Sequence, residues 1–151
     1  MATETRSGRP ARRDVLHLTV LTPERGVLDQ DVYSVTVPGA QGYLGILKDH
    51  APLISSTVPG KLTVKDVGGN PSVYAVGAGF VEVSHNKVSI LADSFIPAGE
   101  INAGEATASR DAARKRLEQQ NLTPAQKSEA QELLADAGNL LYVKRNPGPS
   151  V

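Results

Sequence analysis

The side chains best suited to moving a proton are His17, His50, His85 and the carboxylates Asp29 and Asp31. The three histidines are scattered and share no metal-ligand spacing, and the chain has no cysteine to add a thiolate ligand. Asp49 beside His50 offers a base and its orienter in name, but adjacent side chains rarely point that way, so a polar loop pair is the simpler reading. His17 reads as a strand residue facing solvent or a partner, and His85 as a turn residue. Asp29 and Asp31 read as solvated turn residues, because no apolar pocket adjoins them to raise a pKa.

Phosphate chemistry fares no better. A P-loop needs Gly six positions before Lys and Ser or Thr directly after it; around Gly60-Lys61 those places hold Ser55 and Leu62. Gly77-Ala78-Gly79 has Glu82 where a dinucleotide fingerprint wants Gly, so it reads as a bulge or tight strand bend. Arg110, Arg114, Lys115 and Arg116 form a basic cluster. Composition favours an ordinary solvated face over a docking surface for an acidic partner.

The elements that must position these groups fall into two classes that meet near residue 97. From Val15 to Asp93 apolar residues alternate with polar ones, as in Leu16, Leu18 and Val20 against His17 and Thr19. Thr22–Gly26, Pro38-Gly39, Pro59-Gly60, Gly68-Gly69-Asn70-Pro71 and His85-Asn86 punctuate the runs with turn chemistry. Many short strands at this spacing predict a sandwich or barrel.

Beyond the junction the period becomes helical. Ala130, Leu133, Leu134, Ala137, Leu140 and Leu141 mark one face of a helix between Leu122 and Arg145. Thr123-Pro124-Ala125-Gln126 supplies a capping box with proline at the first helical position, and Lys144 and Arg145 match the dipole at the far end. An earlier helix, about Glu100 to Gln119, presents Ala106, Ala113 and Leu117, with Asp111–Lys115 and Arg114–Glu118 spaced as ion pairs. A linker of about three residues predicts an antiparallel hairpin. Its contact would be Ala against Leu, weakly held, with Gly104 and Gly138 weakening it further.

With 16 basic and 16 acidic residues the 151-residue chain has no net charge, which argues against a general nucleic-acid or anionic-membrane binder. A hydrophobic fraction of 40% fits an ordered soluble protein. No apolar run approaches the roughly 20 residues that span a bilayer. Residues 1–14, with Arg6, Arg9, Arg12 and Arg13, lack the apolar centre of a secretory signal and read as a disordered extension. Residues 15–97 read as the β domain, 98–145 as the helical hairpin and 146–151 as a flexible tail.

Gly42-Tyr43-Leu44-Gly45-Ile46-Leu47-Lys48-Asp49-His50-Ala51-Pro52-Leu53 is similar to the G-x-L-G-I-x-x-x-H-A-P-L block of the epsilon subunits of F-type ATP synthases. Pro59-Gly60, Gly77–Val83 and Val88–Asp93 follow in that family's order, and the resemblance runs from about Leu16 to Arg145. It implies a ten-stranded β-sandwich followed by a helix-turn-helix, in a non-catalytic rotor subunit at the foot of the central stalk. The partners implied are the gamma subunit, the c-ring and, through the hairpin, the alpha/beta head, with membrane association only through the complex. It implies a c-ring-facing loop at Gln41, Gly42 and Tyr43, gamma-facing positions at Thr22 and His50, and a head-docking role for Arg110, Arg114, Lys115 and Arg116.

In some relatives an I/L-D-x-x-R-A motif binds ATP at the start of the first helix. Here Asn102 replaces the acid and Glu105 the arginine, between Ile101 and Ala106, so no strong ATP site and no cofactor are expected. The short extension favours the cytoplasmic face of a bacterial membrane over an organelle. Two other readings remain on the residues alone: a stand-alone ligand-binding sandwich closed by the hairpin, and a small hydrolase. The second lacks a nucleophile–base pair.

Overall fold

The computed structural model describes residues 14–150, so the reading of residues 1–13 as an extension lies outside the described residues. Nine strands come first: β1 (Leu16–Leu21), β2 (Gly26–Gly39), β3 (Gly42–Ile46), β4 (Leu53–Thr57), β5 (Gly60–Asp66), β6 (Pro71–Val76), β7 (Gly79–Ser84), β8 (Lys87–Ala92) and β9 (Phe95–Pro97). A 3-10 turn at Ala98–Glu100 leads to α1 (Ala103–Leu117) and α2 (Pro124–Arg145). The count of ten strands is therefore corrected to nine among the described residues. Val27-Leu28 and Val32–Val37 belong to one strand, β2, because Asp29-Gln30-Asp31 stay extended against β1.

β2 organises the domain. Its first half pairs antiparallel with β1, from Leu28 opposite Val20 to Val32 opposite Leu16. Its register shifts between Val32 and Ser34, and its second half pairs with β5 and β3. One layer thus runs β4-β7-β8-β1-β2 and the other β2-β5-β6-β9, with β3 also on β2. The inward residues of both layers share one core: Leu16, Leu18 and Val20 meet Val35, Leu62, Val64, Val81 and Ile90. Aliphatic side chains fill it, as the strict alternation of these strands requires.

The turns do what their residues allow. His85 and Asn86, both at positive φ, form the two-residue link between β7 and β8. Gly69 takes φ +83° in the β5–β6 turn, where the Asp66 carboxylate accepts the N–H of Gly68 and of Asn70. The Gly77-Ala78-Gly79 bend is a close approach: a Cβ on Gly79 would lie 1.7 Å from the carbonyl oxygen of Leu91.

α1 starts three residues later than its composition suggests, because the Asn102 side chain accepts the Glu105 N–H at 3.0 Å and fixes the cap there. The capping box at Thr123 forms with both of its hydrogen bonds. Ala106 and Ala113 of α1 and Ala130 and Ala137 of α2 are all buried, so alanine is buried on both helices where Ala against Leu was expected. Leu133, by contrast, is exposed, and Val143 is fully buried. Val143 joins Ala75, Ala98 and Ile101, flanked by Val73, Ile96 and Leu140, in a second small core that seats the helices on β6 and β9.

Candidate functional site

The outward side chains of β4, β7, β8 and β1 form one face whose composition changes along the strands. In one row Phe80 stands opposite Leu91, which stands opposite Leu21; Ile54 lies one row away, opposite Glu82. Ile54 is 76% exposed and Phe80 57%, and Leu21 and Leu91 are exposed beside them. Four large apolar side chains on the solvent face of one mixed sheet, in which β1 runs parallel to β8, break the usual polar-out pattern and mark an interaction surface. A shallow groove lined by Leu21, Thr22, Pro23, Phe80 and Leu91 closes this end.

At the other end of the face His17 stands opposite Lys87 on β8 and opposite Asp31 on β2. Its Nδ1 lies 2.9 Å from Asp31 and its Nε2 2.5 Å from Asp29. Both ring nitrogens can donate at once only in the imidazolium form. The hydrogen bonds to Asp31 and then Asp29 accordingly hold the His17 pKa above its ordinary value. Asp29 and Asp31 are thus strand residues and not turn residues. A single-strand reading of β2, folded back on β1 through the tight Thr22–Arg25 turn, would have revealed the pairing.

The other candidates separate. Thr22 donates its hydroxyl to the Arg25 carbonyl at the apolar end, whereas His50 precedes β4 near the β7–β8 turn, its Nδ1 2.7 Å from the carbonyl of Ala51. Asp49, at positive φ, donates its N–H to Asn86 instead of orienting His50. Gln41 and Gly42 form the exposed tip between β2 and β3, and the Tyr43 hydroxyl turns back to accept the Lys61 N–H at 3.3 Å. Arg114 and Lys115 are exposed, but Arg110 pairs with Asp111 at 3.4 Å and Arg116 reaches Glu129 of α2 at 3.7 Å. Two of the four basic residues are thus engaged by carboxylates, and these two pairs stand in place of the i, i+4 pairs expected along α1. Ile101 is in the second core, Asn102 caps α1 and Ala106 is buried against α2.

A second carboxylate group spans the seam between the β domain and α2. Asp93, Glu132 and Asp136 line one groove with Pro59, Ala78 and Ser128. Partial burial, followed by the charges of Asp93 and Glu132, pushes the Asp136 pKa up. No sequence pattern could join Asp93 to α2. Among the described residues no cluster of three or more His, Asp or Glu is arranged to hold a metal ion, and no helix is long and apolar enough to cross a membrane.

A β-sandwich with a partly apolar outer face, carrying two helices on a narrow seat, defines a docking subunit. The family described as ATP synthase, Delta/Epsilon chain, beta-sandwich domain matches residues 15–98. The chain is 43% identical over 101 residues to the ATP synthase epsilon chain of Protochlamydia amoebophila, covering 67% of this chain and 69% of that one. It is 43% identical over 122 residues to that of Solibacter usitatus, covering 81% and 87%. A chain in the Euglena gracilis mitochondrial ATP synthase assembly of OSCP, F1 and c-ring shares the fold, with TM-score 0.74 and 21% identity over 95% of this chain and 88% of that one. A chain in the Tetrahymena thermophila mitochondrial ATP synthase central stalk and c-ring gives TM-score 0.62 and 19% identity, covering 85% and 96%. The chain belongs to the ATP synthase epsilon chain family. It is a subunit of that complex and not its catalytic one.

Proposed function

We propose that this chain is a central-stalk rotor subunit that couples c-ring rotation to ATP synthesis by binding gamma and the c-ring. The observation that carries the docking role is the exposed row Phe80–Leu91–Leu21 with Ile54 beside it, an apolar surface that an assembled partner would cover. Gamma is the occupant assigned to this face, with Thr22 at its apolar end and His50 at the other. The Gln41–Gly42 tip is the c-ring contact; Tyr43 supports the tip from behind through its hydroxyl.

Residues 15–97 act as the docking domain and 98–145 as an antiparallel hairpin that regulates ATP hydrolysis. The Arg116–Glu129 pair at one end of the helices and the Ile101–Val143 contact at the other support the antiparallel arrangement. Exposed Arg114 and Lys115 remain available for the alpha/beta head. Ile101, Asn102, Glu105 and Ala106 serve the helix start and its packing, which supports the absence of a nucleotide latch. The site of action is the cytoplasmic face of a bacterial membrane, reached through the complex.

The test replaces Phe80 and Leu91 with Asp and measures association with gamma-containing catalytic head by pull-down and ATPase rate. Exposed positions tolerate such changes in the folded chain. Loss of association with an unchanged circular dichroism spectrum is expected; undiminished association sinks the assignment of this face.

A further inference from the structure

Lys61 and Thr63 face away from the sandwich core on β5, on the side opposite Leu62 and Val64. Outward polar residues of an antiparallel strand ordinarily meet water. Here Lys61 is 5% exposed and Thr63 2%. What covers them is the C-terminal end of the chain. The Lys61 ammonium donates to the carbonyl of Gly148 at 2.9 Å and lies 5.5 Å from the centre of the Tyr142 ring. The Thr63 hydroxyl accepts the Ser150 N–H at 3.0 Å. Beside them Asn139 donates to the carbonyls of Gly60 and Val76, the paired ends of β5 and β6.

We propose that residues 146–150 are a strap that lies across β5 and holds the two helices against the sandwich through Lys61 and Thr63. The segment read from sequence as a loose tail is built for this. Pro147 and Pro149 fix φ on either side of Gly148, so an extended course loses little entropy when it is laid down. The apolar seat of the helices is small, the cluster around Val143, so polar contacts along β5 carry a large share of the docking. With the strap in place, the buried ammonium is satisfied by the Gly148 carbonyl of the strap and the Tyr142 ring of α2. When the strap lifts, the ammonium regains water, which offsets much of the lost contact. The strap is therefore a reversible fastening, and any partner that captures the last residues frees the helices. This inference deepens the reading of the hairpin as a regulatory arm and takes the arm itself from that reading. The strap's hold on the isolated chain does not depend on gamma or the head.

The test is hydrogen exchange by mass spectrometry on the full chain, a chain ending at Asn146, which keeps the cap of α2, and the full chain with Thr63→Val. Removing two hydrogen bonds should speed exchange across α2 roughly tenfold in the shortened chain, and about threefold in Thr63→Val. Peptides covering β7 and β8 should keep their rates in both. Thr63→Val placed in the shortened chain should add nothing, since its partner is gone. Unchanged α2 exchange overturns the proposal, and so does equal acceleration of α2 and of β7–β8, which would make the tail an undifferentiated part of one folding unit. Neither readout involves gamma, so failure of the docking assignment and failure of the strap are separate results.

Discussion

Shortening Val143 to alanine isolates the hold of the helices on the sandwich. Val143 is fully buried and meets Ala75, Ala98 and Ile101. The substitution removes two methyl groups, about 1.6 kcal/mol of burial at about 0.8 kcal/mol per carbon. Alanine is the better helix former, which returns about 0.6 kcal/mol to α2. The net loss of about 1 kcal/mol falls on the docked helix relative to the undocked, unwound chain that a protease can cut, because Val143 touches none of the residues of the main core. At 1.4 kcal/mol per tenfold, the undocked population should rise roughly fivefold. Trypsin under native conditions reports that population when opening and closing are fast relative to cleavage, with Arg114, Lys115, Arg116 and Lys127 among the sites. Leu133→Ala, exposed on the same helix, should change the rate less than twofold and serves as the comparison. Equal rates for Val143→Ala and Leu133→Ala would refute the claim that this small core seats the helices. A matching fall in the stability of β7–β8 would refute the separation of the two cores.

Two further outcomes concern charge. With its pKa raised by Asp31 first and Asp29 second, the His17 ring should titrate above its ordinary value of 6.5, and Asp31→Asn should lower that titration more than Asp29→Asn in a histidine NMR titration. The stabilisation from the protonated ring is complete below 6.5 and disappears as pH rises through the raised folded value, so urea midpoints should fall over that interval and Asp31→Asn should flatten the fall. Asp136 behaves in the same sense at lower pH: its pKa is raised above 3.8 by burial, then by Asp93 and Glu132, so its contribution is present below 3.8 and lost as pH rises through the folded value. Asp136→Asn should leave urea midpoints near pH 3 unchanged and raise them at pH 7.

Much of this architecture is legible in the sequence because alternation and caps are local. Leu16-His17-Leu18, the Gly68–Pro71 turn and the Thr123–Gln126 box each carry their structure within a few residues. What escaped has a long-range cause. Asp29-Gln30-Asp31 looks like a turn until β1 is laid beside it; only the pairing reveals strand and proton-holding site together. Leu133, placed on the apolar face by periodicity, is exposed, and Val143, outside that pattern, is buried, because the seat of α2 is set by β6 and β9 at its C-terminal end, which helical periodicity alone cannot locate. The burial of Lys61 depends on residues 78 or more positions away, Asn139 among its neighbours and Gly148 as its acceptor. The tenth strand came with the family resemblance; the pairing here supports nine among the described residues.

The 14-residue β2 gives the domain a mechanical axis. Its hydrogen bonds to β1, β5 and β3 run crosswise to the strand, so a load applied along it from the Gln41–Gly42 tip is shared by all of them in shear at once. Peeling would break them one at a time. A push at that tip thus reaches both layers together, through the one strand that belongs to each. The domain is stiffest against a load directed along β2.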